Sequence, residues 1–172
     1  ANRNLVELHP NRGAFVARPT QKEAQEIFEA RLTIEPPIAR IAVAKAKASH
    51  IKALEKHLLR ESTAHAAGNR EEAIRLSGQF HTTLAQLTDN AVMVQVVKDL
   101  ITRSSLIIGM FGETGVANCR DDEHAGIIQA LRSGDAALAE SLMARHITHI
   151  REHVDFARPK VASQDILAVF KD

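Results

Sequence analysis

Two histidines in the segment from residue 121 to residue 153 could form half of a metal site. The segment has the pattern of two helices joined at a turn, with Gly134 typical of a helix C-terminus and Asp135 typical of a helix N-cap. His124 lies ten residues before Gly134 and His146 lies twelve after it. At about 1.5 Å per residue, both histidines lie roughly 15–18 Å from the turn. In an antiparallel hairpin they reach nearly the same level, where two imidazoles can bind one transition metal.

A third imidazole is available on a predicted helix near the middle of the chain. His81 follows Ser77 by four residues, so the two side chains lie on one face of that helix. On spacing alone, a histidine in such a position is more often a hydrogen-bonded core or surface residue than a ligand. On the last helix, His146, His149 and His153 form one stripe, and any of the three could be the inward-facing imidazole.

The composition favours close-packed helices and limits the classes of partner. Only 3% of the 172 residues are aromatic, with no Trp or Tyr, so Ala, Leu and Ile must fill the core. The net charge of +1 provides no strongly basic surface for nucleic acid. The single Cys119 excludes an internal disulfide, and no apolar run is long enough to span a membrane. We therefore predict a cytoplasmic protein without membrane segments.

The hydrophobic pattern is helical from Thr20 almost to the last residue. We predict an all-α fold, an antiparallel bundle of six to seven helices with a short N-terminal β-hairpin. Pro36-Pro37 is expected to kink or interrupt the first helix. The predicted helices span residues 21–48, 49–67, 69–88, 90–104 with a continuation over 106–111, the hairpin at 121–153, and a short terminal segment at 163–170.

Three motifs resemble one known family in their sequence, order and spacing. They are ARLTIEPPIARIAV in the first helix, FHTTLAQLTDN in the third and EHAGIIQALRSGDAALAESLMARHI in the hairpin. Residues 20–157 thus resemble the FadR-type C-terminal ligand-binding domain, called FCD, of GntR-family transcriptional regulators. Residues 1–19 resemble the wing that closes the winged helix-turn-helix DNA-binding domain of that family. The resemblance implies a wing remnant at 1–19 and a helical effector-binding domain at 20–172.

The resemblance also implies a pocket that holds a divalent metal through one Asp and three His. The histidine positions map to His81, His124 and His146, whereas the Asp position is Ser77 in this chain. Three imidazoles can still hold Zn²⁺ or Ni²⁺, while Mg²⁺ and Ca²⁺ prefer oxygen ligands. Some members of the family have no metal, so a site without metal remains open.

Arg31 has two interpretations. Members of the family often carry an arginine at this position facing the pocket, where its guanidinium would bind the carboxylate of a small organic acid. The alternative is a surface ion pair with Glu35, four residues on. Asn90 is expected to cap a helix, with pocket contact as a second possible role. Glu123 beside His124 could accept a hydrogen bond from an imidazole or be a solvated charge at a helix start.

These observations lead to three hypotheses of different classes. The first is an effector-sensing domain that binds a carboxylic acid, forms a homodimer and controls DNA binding allosterically through an N-terminal domain that this chain lacks. The second is a three-histidine metal-dependent hydrolase or hydratase. It is disfavoured because the chain has no HExxH, phosphate loop or cysteine nucleophile signature, so no catalytic residue is predicted. The third is a helical dimerisation module without a ligand.

Overall fold

The computed structural model describes residues 6–9, 13–112 and 121–157. Within these ranges the chain forms one β-hairpin followed by six helices, and the predicted all-α fold is confirmed. The predicted terminal helix at 163–170 and the Cys119 position lie outside the described residues. The elements are β1 (Val6–His9), β2 (Gly13–Val16), α1 (Gln21–Lys45), α2 (Ala48–Ala66), α3 (Arg70–Gln86), α4 (Ala91–Phe111), α5 (Asp121–Ser133) and α6 (Ala136–Glu152).

The N-terminal hairpin pairs β1 and β2 antiparallel, with Val6 opposite Val16 and His9 opposite Gly13. Gly13 has φ +92°, a conformation that residues with a Cβ rarely adopt, which accounts for a glycine at this position. Val16 packs against the helical core. A two-stranded hairpin is marginal alone, and this contact with the helices supports it.

Helix α1 starts with the predicted capping box. The Thr20 hydroxyl accepts from the Glu23 backbone N–H, and the Glu23 carboxylate accepts from the Thr20 N–H. The helix continues through Pro36-Pro37, so the predicted interruption does not occur. Each proline still removes one backbone N–H donor, one turn beyond Arg31.

Helix α4 is continuous from Ala91 to Phe111 and includes the segment predicted as a separate continuation after residue 104. Ser104 and Ser105 are both buried in it, and Ser104 donates its hydroxyl hydrogen to the Ile101 carbonyl of its own helix. This internal bond lets a serine remain inside an apolar helix. The same two serines line the cavity described below.

The turn between α5 and α6 has the predicted form. Gly134 adopts φ +73°, and the N–H groups of Gly134 and Asp135 donate to the carbonyls of Leu131 and Ala130. These two bonds define a Schellman motif. The Asp135 side chain then accepts from the Leu138 N–H and caps α6. The motif fixes α5 and α6 as an antiparallel pair, which sets His124 and His146 at one level.

Helix α1 contacts α3, α4, α5 and α6, so the bundle is arranged around it. The largest core cluster draws residues from all six described helices, including Phe28 of α1, Phe80 of α3 and Met143 of α6. The Phe80 ring stacks on the His124 ring, with centroids 3.9 Å apart. Among the described helices none is long and apolar enough to cross a membrane.

Candidate metal centre

Three imidazoles from three helices meet inside the bundle. His81 of α3, His124 of α5 and His146 of α6 each expose 2% or less of their surface. The Nε2 of His146 lies 3.2 Å from the Nε2 of His81 and 3.2 Å from the Nε2 of His124. One ligand nitrogen from each of the three falls within 4.8 Å of the others. The structure therefore brings together the three histidines singled out in the sequence.

Two of the three nitrogen separations match the coordination sphere of a transition metal. Two nitrogens bound to one Zn²⁺ at 2.0–2.1 Å with tetrahedral angles lie about 3.3 Å apart. The two Nε2 separations of 3.2 Å are close to this value. The group of three histidines is the one potential metal-binding cluster among the described residues.

Each imidazole is held from its other side by a carboxylate. The Nδ1 of His81 lies 2.5 Å from Glu35 Oε2, that of His124 3.0 Å from Glu61 Oε2, and that of His146 2.8 Å from Glu123 Oε2. An ionised carboxylate only accepts hydrogen bonds, so each Nδ1 carries the hydrogen. In a neutral imidazole the lone pair then lies on Nε2, which is the atom directed at the other two rings. A cation between the rings satisfies these facing lone pairs, so the residues fit a bound metal.

The protonation states favour metal binding. Burial lowers the pKa of His81 to about 4, even though the Glu35 carboxylate beside it acts in the opposite direction. Burial, followed by the neighbouring His124, His81 and Arg31, lowers the pKa of His146 well below its ordinary value. Both rings are therefore neutral at pH 7, as metal ligation requires.

The carboxylates keep their charge in spite of burial. Burial alone would raise the pKa of Glu35, but Arg31 and His81 outweigh it and lower that pKa to about 2. Burial also opposes ionisation of Glu61, and its hydrogen bond and attraction to His124 outweigh that effect and lower its pKa. These two groups are negative at neutral pH and can remain acceptors for the imidazole N–H groups.

The low pKa of His81 gives a testable dependence of stability on pH. The unfolded imidazole takes up a proton near pH 6.5, whereas the folded one stays neutral until about pH 4. The metal-free protein is therefore expected to keep its full stability above pH 6.5 and to lose up to about 3 kcal/mol from this group as the pH falls towards 4. Urea unfolding in the presence of a chelator measures the loss.

The control for this prediction is His81→Asn, which keeps an N–H donor for Glu35 but cannot titrate. The variant should lose less stability over the same pH interval than the parent chain. The contribution of His146, whose pKa is also lowered, should remain in both proteins. Equal pH profiles for the two proteins would contradict the assignment of a neutral, protonation-resistant His81.

A small cavity adjoins His81. Its volume is about 20 Å³, which is enough for a water molecule or an ion but not for an organic acid. Ser77 and Gly78 of α3 lie along it, opposite Ser104 and Ser105 of α4. Its other lining residues are Arg31, Ile74, His81, Ile101, Ile108 and Ile150. Three serine hydroxyls, the Arg31 guanidinium and the His81 imidazole thus form the polar part of an otherwise apolar wall.

Arg31 lies at this cavity and is 2% exposed, so the alternative of a surface ion pair is wrong. Its ion pair with Glu35 does form, but inside the protein: Nε donates to Glu35 Oε1 at 2.5 Å. Nη1 donates to the Ser104 hydroxyl at 3.1 Å, and Nη2 lies 3.4 Å from both ring nitrogens of His81. Arg31 therefore joins α1 to α3 and α4 beside the imidazole cluster.

Asn90 does not lie at the cavity. It is exposed at the start of α4, where its side-chain oxygen accepts from the N–H groups of Val92 and Met93. Asn90 therefore caps the helix, and it does not contact the cavity. Asn90 is separated from the polar lining because an N-cap faces the end of its helix, whereas Ser104 and Ser105 lie more than three turns further along α4.

Glu123 does contact an imidazole, although not that of its neighbour His124. Its Oε2 lies 2.8 Å from His146 Nδ1 and 3.4 Å from His149 Nδ1, across the hairpin. His149 is partly exposed, and His153 Nδ1 lies 2.7 Å from the His149 carbonyl oxygen. Of the three histidines in the stripe on α6, His146 is thus the inward one.

Sequence reasoning missed the roles of Glu35 and Glu61. Each is 2% exposed or less, and each accepts from one imidazole of the cluster. A signal existed for Glu61, because it follows the buried Leu54 and partly buried Leu58 at helical spacing on the apolar side of α2. A carboxylate in such a stripe requires a buried partner.

Comparisons with known proteins agree with this fold. The family model described as the FCD domain matches residues 26–149. The HTH-type transcriptional repressor RspR of Escherichia coli K12 is 24% identical over 155 residues, covering 90% of this chain and 68% of that protein. An HTH-type transcriptional regulator of Bacillus subtilis, YdhC, is also 24% identical, over 154 residues, covering 87% of this chain and 68% of its own. These relatives are regulators and not enzymes, in line with the prediction that the chain has no catalytic role.

Solved structures share the architecture at low sequence identity. E. coli McbR/YncC superposes with a TM-score of 0.74 at 15% identity, covering 84% of this chain and 74% of that one. Streptococcus agalactiae GntR gives a TM-score of 0.69 at 23% identity, covering 88% of this chain and 76% of that one. These likenesses establish the fold, and the family follows from the match over residues 26–149. The chain therefore belongs to the FCD domain family of GntR-type transcriptional regulators, as its sequence motifs predicted.

Proposed function

We propose that this domain senses a small carboxylic acid through a divalent transition metal held by His81, His124 and His146. In the whole protein, binding of the acid would change the affinity of an attached DNA-binding domain for its operator. The observation that carries the proposal is the convergence of three buried Nε2 atoms, with two separations of 3.2 Å. The donor set favours Zn²⁺ or Ni²⁺ over Mg²⁺ and Ca²⁺ because all three ligands are nitrogens.

The acid would bind between the metal and Arg31. Three protein ligands leave at least one coordination position for a carboxylate oxygen, since Ser77 provides only a neutral hydroxyl at the position where the family resemblance implies an Asp. The Arg31 guanidinium stands next to His81 and already binds one carboxylate, that of Glu35. Its planar fork is suited to a second acid, or to exchange of Glu35 for the acid. The metal, when bound, would supply a Lewis-acidic point of attachment, and Arg31 would orient the rest of the molecule.

The small size of the cavity suggests how binding could be transmitted. A cavity of about 20 Å³ is too small for an organic acid, so an acid would favour an arrangement in which the helices that line the cavity stand further apart. A ligand that binds one arrangement better shifts the population towards it. Helix α1 carries Arg31 and begins five residues after the end of β2, which makes it a direct connection to the N-terminal hairpin.

The proposal extends to the partners of the whole protein. We assign residues 1–19 to the end of a wing, on the resemblance of their sequence, and an operator would be bound by the winged helix-turn-helix to which a wing belongs. A homodimer would present two such domains to two half-sites. The proposal predicts that the 172 residues of this chain bind the acid.

The proposal is tested by metal titration followed by acid titration. Protein stripped with a chelator is expected to bind one equivalent of Zn²⁺ or Ni²⁺ in competition with a chromophoric chelator. Calorimetry of the metal-loaded protein with a panel of small dicarboxylic and hydroxy acids is then expected to give at least one specific binder, with weaker binding to the stripped protein. Absence of stoichiometric transition metal binding would refute the proposed centre.

Ser77 provides an independent prediction for the same site. Ser77→Asp introduces a charged oxygen ligand four residues before His81, and we expect it to tighten metal binding on the order of tenfold or more. Ser77→Asn is the matched control, because it adds similar bulk without charge and should leave the affinity near that of the parent. Equal affinities for the two variants would mean that residue 77 does not reach the metal.

A further inference from the structure

We infer that Glu35, Glu61 and Glu123 position the three imidazoles for a divalent cation and supply the negative charge that Ser77 does not. The inference rests on the proposed metal centre and adds three residues to it. They come from α1, α2 and α5, none of them is a candidate ligand, and their oxygens lie 2.5, 3.0 and 2.8 Å from the Nδ1 atoms of His81, His124 and His146.

The three imidazoles and the three carboxylates are paired one to one. Each Nδ1 has its own carboxylate, and each opposite Nε2 points to the centre of the cluster. A hydrogen bond from Nδ1 fixes the tautomer and the orientation of the ring, and it makes Nε2 a stronger electron donor to a metal. If the carboxylates served only to satisfy buried histidines, nothing would require all three lone pairs to face one another.

The charged groups around the three imidazoles do not balance one another. In the described part of the chain, three carboxylates and the Arg31 guanidinium surround the three imidazoles, and the formal charges of these four groups sum to −2. Glu35 and Glu61 expose 2% and 1% of their surface, so this charge is poorly screened by water. A divalent cation neutralises it. An Asp at position 77 would place a negative charge directly on the metal. In this chain the negative charge lies instead on the carboxylates that accept hydrogen bonds from the imidazoles.

Two of the carboxylates also connect helices without a metal ligand to the imidazole cluster. Glu35 joins α1 to α3, Glu61 joins α2 to α5, and Glu123 joins α5 to α6. The metal ligands lie on α3, α5 and α6 only. The carboxylates therefore extend the influence of a bound cation to α1, which carries Arg31, and to α2, which carries no ligand.

The test compares three charge-removing variants, Glu35→Gln, Glu61→Gln and Glu123→Gln. Glutamine has nearly the same shape and keeps one carbonyl acceptor, but it removes the charge and replaces the second acceptor oxygen by an NH2 donor. We expect the Kd for Zn²⁺, measured by chelator competition, to rise about 10- to 100-fold in each variant. The matched control is Glu72→Gln on α3, whose carboxylate pairs with Arg75 away from the cluster and whose loss should leave the Kd unchanged.

A structural effect is separated from a positioning effect by two further measurements. Glu123 is the least buried of the three, so its variant is expected to unfold in urea close to the parent when metal-free while still binding Zn²⁺ more weakly. The visible spectrum of the Co²⁺-loaded variants should shift, because altered imidazole donation changes the ligand field. Glu35→Gln leaves the buried Arg31 guanidinium without its ion-pair partner and could prevent folding. In that case Glu61→Gln provides the same two measurements.

The outcomes distinguish the inference from the proposed function. Parent-like Kd values and Co²⁺ spectra in Glu61→Gln and Glu123→Gln would overturn the inference while leaving the three-histidine centre in place. A parent protein that binds no transition metal would overturn both. A loss of affinity in Glu72→Gln equal to that in the other variants would reduce the effect to general surface charge and would also overturn the inference.

Discussion

A His124→Ala variant is expected to lose stoichiometric binding of Zn²⁺ and Ni²⁺. His124 supplies one of the three converging Nε2 atoms, and two imidazoles do not complete a protein site for these metals. The loss should exceed the roughly 100-fold upper range expected when only an outer hydrogen-bond partner is removed. Metal analysis after dialysis, together with chelator competition, measures it. His81→Ala and His146→Ala are expected to behave alike.

Two controls keep this result interpretable. His153→Ala removes an imidazole from the same stripe on α6 without touching the cluster, and it should retain full metal occupancy. Because the Phe80 ring stacks on His124, the alanine variant also loses packing, so its helical circular dichroism must be compared with that of the parent. Full occupancy in a variant lacking all three imidazoles would exclude the assigned site.

The helices were predictable from the sequence because their signals are local. Four helices begin with a side chain that accepts hydrogen bonds from the free N–H groups of the first turn. These N-caps are Thr20 (in a capping box with Glu23), Asn69, Asn90 and Asp135. Such caps depend only on residues three or fewer positions apart. A kink or an interruption was expected at Pro36-Pro37, and the interruption does not occur, because packing of the surrounding helix compensates for the two missing backbone N–H donors.

The carboxylate partners were not predictable in the same way. Glu35 and His81 are 46 residues apart, and Glu61 and His124 are 63 apart, so their contacts depend on how α1, α2, α3 and α5 pack. The spacing placed Glu35 one turn after Arg31 on the same face of one helix and indicated an ion pair. It gave no sign that both side chains are buried. The resemblance identified the three imidazoles, and the structure was needed to reveal what orients them.

Replacing Arg31 is expected to destabilise the protein strongly. Arg31→Met leaves the Glu35 carboxylate buried without its guanidinium, and removal of one partner from a buried ion pair costs about 3–5 kcal/mol. Urea unfolding of the metal-free protein measures the loss. The matched control is Arg40→Met, whose partner Glu140 lies on the surface, where a pair contributes about 1 kcal/mol or less. Similar losses for the two variants would contradict the argument from burial.

A second substitution separates the stability of Arg31 from its proposed contact with the acid. Glu35→Gln added to Arg31→Met removes the unpaired charge, so the double variant should regain a large part of the lost stability. At metal concentrations that saturate its site, it should still fail to bind the acid that the parent binds, because the guanidinium fork is gone. If calorimetry instead gives parent-like affinity in the restored double variant, Arg31 serves the fold alone, and the acid must be held by the metal and the serines of α3 and α4.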